Sequence, residues 1–319
     1  MSRLFSIGES LVDITLFPEQ NDFESKCQIG AGGATANVAV AFSRLGGDGY
    51  FVGKISSDPL GELIVKTLAD NHVHTDYIFR TNEYKTAVTV ICVDGKAERT
   101  FTFYHENTAD YFMTEKDAET LEFHKNDIVH FCSVGLLSEL TRNAHIAIFK
   151  KCLQNEGYVS FDVNVRLSLW ENKDMCRSRI FEALQYVSFL KVSEEELTFI
   201  AEMSDEEQAI AKLFASYPNL RFVLVTKGEH GSVVYDANKN KYYEPAFKVN
   251  AIDSTGAGDS FISAMLYCIS KEEVEFNKLK KDLLFANAAA ALVTTRKGAL
   301  NTMPTLEEVK DFLKNNTQY

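Results

Sequence analysis

The sequence predicts an α/β fold of three layers, in which helices cover both faces of a mostly parallel sheet and a small β-sheet forms a lid. First, short apolar runs alternate with segments of helical period along most of the 319 residues. Second, several of these runs have too few polar positions for half-exposed strands, which is typical of strands covered on both faces. Third, one stretch contains two strands with no helix between them. No repeat or linker divides the chain, so residues 1–319 are predicted to form a single domain.

The strands and helices of the main layers follow one another in regular order. Apolar runs predict strands at residues 4–8, 50–55, 127–132, 158–162, 187–192 and 221–226. Helical periodicity predicts helices at residues 34–47, 60–71 and 142–157. The last of these helices is predicted to end on Gly157, because glycine is favoured just beyond a helix C-terminus.

Two early segments interrupt this order and predict the lid. Residues 86–104 read as a β-hairpin of two alternating strands around Asp94-Gly95, and residues 14–30 read as strand and turn. The simplest interpretation is a small sheet built from both excursions and lying over the main sheet. Such a sheet exposes a flat face and strand edges that need covering, so we expect a homodimer that pairs lid to lid.

The composition excludes several classes of partner. Asp and Glu number 45 against 33 Lys and Arg, which gives a net charge of −12. Since no basic cluster breaks this acidity, we expect neither nucleic acid nor an anionic membrane as a partner. No apolar run approaches the ~20 residues of a membrane span. The six cysteines are scattered without a CxxC pair, which is typical of reduced thiols. We therefore expect a soluble, cytoplasmic protein.

The stretch DSTGAGDSF at residues 253–261 is the strongest chemical signal. A glycine-rich turn that runs into a helix N-terminus presents free backbone N–H groups and partial positive charge, which makes an anion site suited to phosphate. Asp259 stands in this first turn, where an acid commonly complements the helix dipole. A carboxylate beside a phosphate nevertheless costs Coulomb energy. The pattern therefore predicts a second role for Asp259, namely accepting the proton of a hydroxyl that attacks phosphorus.

Two further stretches are candidates for a ligand site. Residues 29–47 open a helix with small residues and place Asn37 in its first turns, which fits either a tightly packed helix start or a sugar site. Residues 161–170 place Asp162, Asn164 and Arg166 just beyond a buried strand, where ligands bind in open α/β sheets. The alternative there is a polar loop. The patterns GxxxxGK[ST], GxGxxG, HExxH and GxSxG are absent from the sequence.

Together these motifs resemble the ribokinase-like (PfkB) family of carbohydrate kinases. GAGGATANVAVAFSRLGG (30–47) looks like the N-terminal signature of the family, and DSTGAGDSFISAML (253–266) looks like its C-terminal signature. The order of the intervening motifs also matches, so the resemblance covers essentially the whole chain. It implies a ribokinase-like fold and ATP-dependent transfer of a γ-phosphoryl group to a sugar hydroxyl.

The finer resemblance concerns the sugar. GESLVDI (8–14), FTFYHENTAD (101–110), FDVNVRLSLW (161–170) and KVSEEEL (191–197) look most like the fructokinase branch, which converts fructose to fructose 6-phosphate. The alternative is a 2-keto-3-deoxygluconate kinase, which also has a DxNxR segment. A nucleoside kinase and a non-catalytic sugar-binding module are further alternatives.

The resemblance also assigns roles to individual residues. It makes Asp259 the catalytic base and the backbone N–H groups around it the anion hole, at Gly256, Ala257 and Gly258. The residues that it places at the sugar are Asp13, Gly32, Gly33, Asn37, Tyr104, Asn164 and Arg166. The residues that it places along ATP are Lys191, Ser193, Thr226, Lys227, Gly228, Gly231 and Asn287.

Metal ions are implied in the same way. Glu196 matches the last position of an NxxE motif that organises Mg²⁺ and water near the phosphates. This chain departs from that motif at its first position, where Ser193 replaces the commonest residue, Asn; a hydroxyl can still hold a water. Asp253 and Thr255 match positions where the family often binds a monovalent cation such as K⁺ through backbone carbonyls.

Overall fold

The computed structural model describes residues 1–17, 26–93, 99–271 and 275–316. The strands in chain order are β1 (Leu4–Ile7), β2 (Leu11–Phe17), β3 (Lys26–Gly32), β4 (Gly49–Ser56), β5 (Ile78–Thr81), β6 (Val88–Val93), β7 (Arg99–Tyr104), β8 (Ile128–Cys132), β9 (Tyr158–Asp162), β10 (Phe189–Ser193), β11 (Phe222–Thr226), β12 (Ser232–Asp236) and β13 (Lys241–Glu244). The helices are α1 (Ala34–Arg44), α2 (Pro59–Asp70), α3 (Glu115–Glu119), α4 (Glu139–Gln154), α5 (Lys173–Leu184), α6 (Glu194–Ala201), α7 (Glu206–Ser216), α8 (Ala257–Lys271), α9 (Phe276–Thr294) and α10 (Leu306–Asn316).

The main sheet confirms the predicted α/β architecture. In the described part of the chain it has nine strands, in the order β13-β12-β11-β10-β9-β8-β1-β4-β5. All neighbouring pairs are parallel except β11 with β12 and β12 with β13. The predicted strand at 158–162 coincides with β9, and the others lie within one or two residues of an observed strand. In a parallel sheet the C-terminal strand ends share one edge, which is where a site is expected.

The core lies on both faces of this sheet, because successive side chains of a strand point to opposite sides. In β8, Val129 and Phe131 belong to the apolar cluster that contains Phe149 of α4. Ile128 of the same strand belongs to the cluster on the other face, together with Met265 of α8. Helices therefore cover both faces and form the three layers that the sequence predicts. Among the described residues, no helix combines the length and the apolar character needed to cross a membrane.

The end of α4 corrects one prediction. Asn155 caps the helix, and Glu156 rather than Gly157 takes the left-handed conformation, with a φ of 57°. A Cβ atom on Gly157 would lie 2.5 Å from Sγ of Cys152 and 2.8 Å from the carbonyl oxygen of Asp127. Glycine is therefore needed here for close packing, and its prediction as the left-handed residue that ends the helix was wrong by one position.

The second sheet, called the lid sheet below, contains four described strands in the order β3-β2-β6-β7. β2 pairs antiparallel with β3 and parallel with β6, and β6 pairs antiparallel with β7. It is built from the two excursions that the sequence predicts, although its first strand begins earlier, at Leu11. The predicted turn at Asp94-Gly95 lies outside the described residues. The division of the chain into domains stays a prediction.

The two faces of the lid sheet have different surroundings. Thr89, Ile91 and Phe103 face a cavity above the main sheet. On the opposite face, Val12 and Ile14 pack in the cluster that contains Ile64 of α2. Farther from α2 this outer face is exposed, and its solvent-accessible side chains include Cys27, Ile29, Cys92, Thr102 and Tyr104.

The exposed outer face bears on the predicted homodimer. Ile29 is 50% exposed and Tyr104 is 61% exposed, so a lid-to-lid contact would remove apolar surface from water. We expect wild-type protein at micromolar concentration to have the mass of a dimer in light scattering, and Ile29→Asp to have the mass of a monomer. Leu140→Asp is the matched control, because Leu140 on α4 is 49% exposed and lies away from the lid sheet. A monomeric wild-type protein would contradict the prediction.

Candidate active site

A cavity of about 710 Å³ lies between the lid sheet and the C-terminal ends of the main-sheet strands. The structure brings most of the predicted sugar residues to its wall, namely Asp13, Gly33, Asn37, Asn164 and Arg166. Gly256, Gly258 and Asp259 line the same cavity from the start of α8. Residues that are far apart in the sequence therefore converge on one open cavity.

The N-terminus of α8 forms the floor of the cavity. The helix begins directly after Gly256, whose φ of 79° favours glycine. The N–H of Ala257 donates to the carbonyl of Ser254 at 3.2 Å. Within the described residues, the N–H groups of Gly258 and Asp259 have no hydrogen-bond acceptor. The N–H of Gly256 likewise has no acceptor among these residues, so Gly256, Gly258 and Asp259 supply the free donors of the turn, whereas the N–H of Ala257 is already engaged. The anion hole stays a prediction.

Asp259 is buried at this floor and held by a side chain from α1. Nδ2 of Asn37 donates to Oδ2 of Asp259 over 2.8 Å. Burial raises the pKa of Asp259, and the hydrogen bond from Asn37 and the positive charges of Lys191 and Arg166 partly offset this rise. The site thus contains a carboxylate whose proton affinity is increased and whose orientation is fixed, as a general base requires.

A buried ion pair lies beneath the turn. Nζ of Lys191 on β10 contacts both carboxylate oxygens of Asp162 on β9, at 2.9 and 3.0 Å. Burial alone would lower the pKa of Lys191, but the carboxylates of Asp162, Glu196 and Asp259 raise it. A Cβ atom on Gly258 would lie 3.1 Å from Nζ of Lys191, so the ammonium group is close to the start of α8. Lys191 therefore supplies fixed positive charge to the proposed phosphate site.

Glu196 connects the end of β10 to the segment that follows β9. Its Oε2 accepts from the N–H of Ser193 at 2.8 Å, while the hydroxyl of Ser193 accepts from the N–H of Glu196 at 3.2 Å. This reciprocal pair is a capping box at the start of α6. Oε1 of Glu196 accepts from the N–H of Val165 at 2.8 Å, between Asn164 and Arg166. Glu196 thus holds the segment that carries two of the predicted sugar residues.

The predicted nucleotide residues lie at the same sheet edge, one strand farther along. Thr226 ends β11 and pairs with Ser193 in the parallel register. Nζ of Lys227 contacts Glu194 at 2.9 Å and Glu206 at 2.5 Å. Gly228 and Gly231 both have positive φ, 55° and 101°, in the short turn that follows. Roles in binding ATP stay predictions for these residues.

Asn287 and Asp253 have structural partners in addition to their predicted roles. Oδ1 of Asn287 accepts from the hydroxyl of Ser232 at 2.8 Å, and its Nδ2 donates to the carbonyl of Glu244 at 3.0 Å. Oδ1 of Asp253 accepts from the hydroxyl of Thr255 at 2.7 Å. These contacts fix α9 against the β12-β13 hairpin and fix the loop before α8.

Two predicted sugar residues are placed differently from expectation. Tyr104 does not line the cavity, because strand alternation turns its side chain away from the face that carries Phe103. From this strand, Phe101 and Phe103 cover the cavity instead. Gly32 lies beside Asp13, whose Oδ2 would be 2.3 Å from a Cβ at this position. Gly32 leaves room for that carboxylate, and burial raises the pKa of Asp13 to about 6.

Sequence reasoning missed a buried polar group at the other wall of the cavity. Glu9 lines the cavity, and burial raises its pKa to about 7. Its carboxylate accepts from the N–H of Ala34 at 3.2 Å and from Sγ of Cys132 at 3.4 Å. Nε2 of His105 contacts Oδ2 of Asp110 at 2.5 Å, directly after β7. In the sequence, the only sign of a role for Glu9 was that it is a charged residue within the first apolar stretch.

Comparison with known proteins identifies the family. A family model described as pfkB family carbohydrate kinase matches residues 1–306. This chain belongs to the pfkB family of carbohydrate kinases. The family match and the site geometry agree, because the carbohydrate kinases transfer a phosphoryl group and the cavity pairs a buried carboxylate with a helix N-terminus.

Individual relatives of this carbohydrate kinase are similar over nearly their whole length. The fructokinase of Klebsiella pneumoniae is 35% identical over 314 residues, which cover 98% of this chain and 99% of that protein. The structure is similar to that of a double mutant of the fructokinase from Vibrio cholerae O395 bound to fructose, ADP and a potassium ion, with a TM-score of 0.89, 30% identity and 98% coverage of both chains. It is also similar to the aminoimidazole riboside kinase of Salmonella enterica complexed with aminoimidazole riboside and an ATP analogue, with a TM-score of 0.85, 27% identity and coverage of 98% and 99%.

The two bonds of Glu196 generate a stability prediction for this kinase. Glu196→Ala removes the contacts with Ser193 and Val165 and is expected to lower the free energy of unfolding by about 1.5–3 kcal/mol, the usual worth of hydrogen bonds to a charged group. Ser193→Ala removes only the capping hydroxyl and should cost less, about 0.5–2 kcal/mol. Urea unfolding of both variants measures the difference. Equal losses would show that the two bonds accepted by the Glu196 carboxylate contribute no more than the capping hydroxyl alone.

Proposed function

We propose that this carbohydrate kinase transfers the γ-phosphoryl group of ATP to fructose and forms fructose 6-phosphate. The observation that carries the proposal is the buried carboxylate of Asp259, which lies at the floor of the cavity and at the start of α8. A sugar hydroxyl that reaches this carboxylate also reaches the free N–H groups of Gly258 and Asp259. The fructokinase relatives support fructose as the sugar.

In this proposal Asp259 accepts the proton of the C6 hydroxyl as that oxygen attacks phosphorus. An alcohol is a poor nucleophile while it is protonated, so a fixed base lowers the barrier. The N–H groups at the start of α8 stabilise charge on the phosphoryl group in transfer. Lys191 adds positive charge from below the turn, where a Cβ on Gly258 would lie 3.1 Å from its Nζ. Phosphoryl transfer depends mainly on such positioning and electrostatic stabilisation.

The charge of the cavity favours a neutral sugar over a sugar acid. Glu9, Asp13, Asp162 and Asp259 all line it. Lys191 is already paired with Asp162 and His105 with Asp110, so Arg166 is the cation left to meet a substrate carboxylate among the lining residues that the structure describes. An anionic substrate would therefore meet an excess of negative charge. The charge of the cavity therefore supports fructose over 2-keto-3-deoxygluconate, although Arg166 is compatible with both.

ATP and Mg²⁺ are proposed as the second substrate and the metal. ATP would lie along the ends of β10 and β11, and the residues proposed to contact it are Lys191, Ser193, Thr226, Lys227, Gly228, Gly231 and Asn287. Mg²⁺ would neutralise charge on the phosphates. Each oxygen of Glu196 already accepts from a backbone N–H, so Glu196 fits a contact with Mg²⁺ through water. The backbone carbonyls around Asp253 and Thr255 are proposed to hold K⁺.

A nucleoside kinase is the second candidate that a specific observation favours. The aminoimidazole riboside kinase of Salmonella enterica has the same fold and a similar length. A non-catalytic module is disfavoured, because Asp259, Gly256 and Gly258 are all retained. Turnover of purified protein with ATP and Mg²⁺ on fructose, 2-keto-3-deoxygluconate, ribose and adenosine distinguishes these functions. Higher kcat/KM on any sugar other than fructose would overturn the fructose assignment.

The role of Asp259 is tested by removing only its ability to take up a proton. Asp259→Asn keeps the shape and the helix start, and it should lower kcat by about 10²–10⁴-fold, the usual worth of general-base catalysis. Nucleotide affinity and folding should stay close to wild type. Asp174→Asn is the matched control, since the Asp174 side chain is 87% exposed on α5. If Asp259→Asn keeps more than about a tenth of wild-type turnover, the base assignment is wrong.

The charge of the substrate is tested through Arg166. If the sugar is neutral, Arg166→Ala removes hydrogen bonds and should weaken sugar binding by about 1.5–3 kcal/mol with little dependence on salt. If the sugar is an acid, the loss should be larger and should shrink as salt screens the charge pairing. Arg166→Lys keeps the charge and should restore affinity only in the second case. Unchanged KM in Arg166→Ala would remove this residue from the site.

A further inference from the structure

The contact between Asn37 and Asp259 joins two distant parts of the chain at the centre of the cavity. Asn37 is in the first turn of α1, and its Nδ2 lies 2.8 Å from Oδ2 of Asp259 in the first turn of α8. Both residues are buried, with 5% and 9% of their surfaces exposed. A hydrogen bond of this kind is shielded from water, so it acts strongly on the charge of the carboxylate.

Chemistry fixes which way the amide of Asn37 points. An ionised carboxylate can only accept hydrogen bonds, so the amide must turn its NH₂ group toward Asp259. Its Oδ1 then faces away from Asp259. This oxygen is buried and has no hydrogen-bond partner within the described residues. Asn37 lines the cavity, so the missing donor is one that a ligand would bring.

The backbone around Asn37 is held rigidly. Its N–H donates to the carbonyl of Gly33 at 2.9 Å, which closes the first turn of α1. The hydroxyl of Ser263 on α8 donates to the carbonyl of Val38 at 3.2 Å. A second hydrogen bond therefore joins the two helices, one residue beyond Asn37 on α1 and one turn beyond Asp259 on α8. These bonds keep the backbone of Asn37 within hydrogen-bond reach of Asp259.

We propose that Asn37 is a positioning residue that couples sugar binding to the state of the base. Its Oδ1 accepts a hydroxyl of the acceptor sugar, while its Nδ2 keeps Asp259 ionised and directs the other oxygen, Oδ1 of Asp259, toward the hydroxyl that reacts. The role rests on the proposed function of Asp259 as general base. It extends that function, because one amide then sets both the place of the substrate and the protonation of the group that activates it.

Replacing Asn37 changes the pKa of Asp259 only through the lost hydrogen bond, because the other charges around Asp259 stay in place. Lys191 on β10 and Arg166 after β9 favour the ionised form, while Asp162 on β9 opposes it. These charges remain when Asn37 is replaced, so only the direct hydrogen bond is lost. Its loss disfavours the ionised form, and the pKa of Asp259 rises further above the ordinary aspartate value. Because a base acts only when deprotonated, activity is then lost at a higher pH.

The test compares Asn37→Leu with wild type in two independent measurements. Leucine has a similar branched shape but neither donates nor accepts. The acidic limb of the pH profile of kcat/KM should move up by about 1–2 pH units, the equivalent of a hydrogen bond to a charged group. Separately, the carboxyl carbon of Asp259 is titrated in protein that contains carbon-13-labelled aspartate, with its signal assigned by its loss in Asp259→Asn. This second titration needs no activity and should show the same shift.

A matched variant separates this role from simple sugar contact. Thr89→Val removes a hydroxyl from the lid side of the same cavity. It should change KM for the sugar at most and leave the acidic limb in place. Circular dichroism and the thermal midpoint of Asn37→Leu establish that the variant is folded; Asn37→Ala, which also lacks a donor, is used in its place if it is not.

The outcomes are distinct. A raised Asp259 pKa in the Asn37 variant supports the coupling, whether or not fructose proves to be the sugar. An unmoved carbon-13 titration overturns it, even if KM rises, because Asn37 would then contact only the sugar. Absence of kinase activity in the wild type would instead refute the proposed function, and the titration would still decide whether Asn37 sets the protonation of Asp259.

Discussion

The ion pair between Lys191 and Asp162 is the interaction on which the rest of the site depends. Asp162, Glu196 and Asp259 are gathered within a small buried volume, and buried charges are tolerated only when they are paired. Lys191 supplies the compensating charge, and the carboxylates raise its pKa in return. The pairing follows from the sheet, because Lys191 and Asp162 are direct partners in the parallel register of β9 and β10. A shift of one residue in that register would turn either side chain to the opposite face.

Much of the fold could be predicted because its signals are local. Apolar runs identified six of the nine described main-sheet strands, and the two early excursions identified the lid sheet; β5, β12 and β13 were not predicted. The end of α4 was misplaced by one residue, because the choice between Glu156 and Gly157 is set by packing against Cys152, which the pattern does not reveal. Tyr104 was misplaced for a related reason. In a strand, an error of one position reverses the face to which a side chain points.

The site shows the same division between local and distant signals. Asp259 and its glycines are adjacent in sequence, so their chemistry could be predicted from one short stretch. The bond between Asn37 and Asp259 spans 222 residues, and the contact between Glu9 and Cys132 spans 123. Such contacts follow from the order of strands in the sheet, which composition and periodicity do not specify. The lid sheet also leads directly into the site, since β3 ends at Gly32 and α1, which carries Asn37, begins only two residues later.

The distribution of cysteines provides labelling sites on the lid sheet for spectroscopy. Cys27 and Cys92 are exposed, whereas Cys132, Cys152 and Cys176 are buried and Cys268 is only partly accessible. Both exposed thiols lie on the outer face of the lid sheet, where each pairs with Leu16 across a neighbouring strand. Burial also raises the pKa of the Cys152 thiol to about 12, which suppresses its reaction with alkylating dyes. A maleimide fluorophore therefore reaches the lid first in the single chain, whereas a lid-to-lid dimer would cover both thiols and slow their labelling.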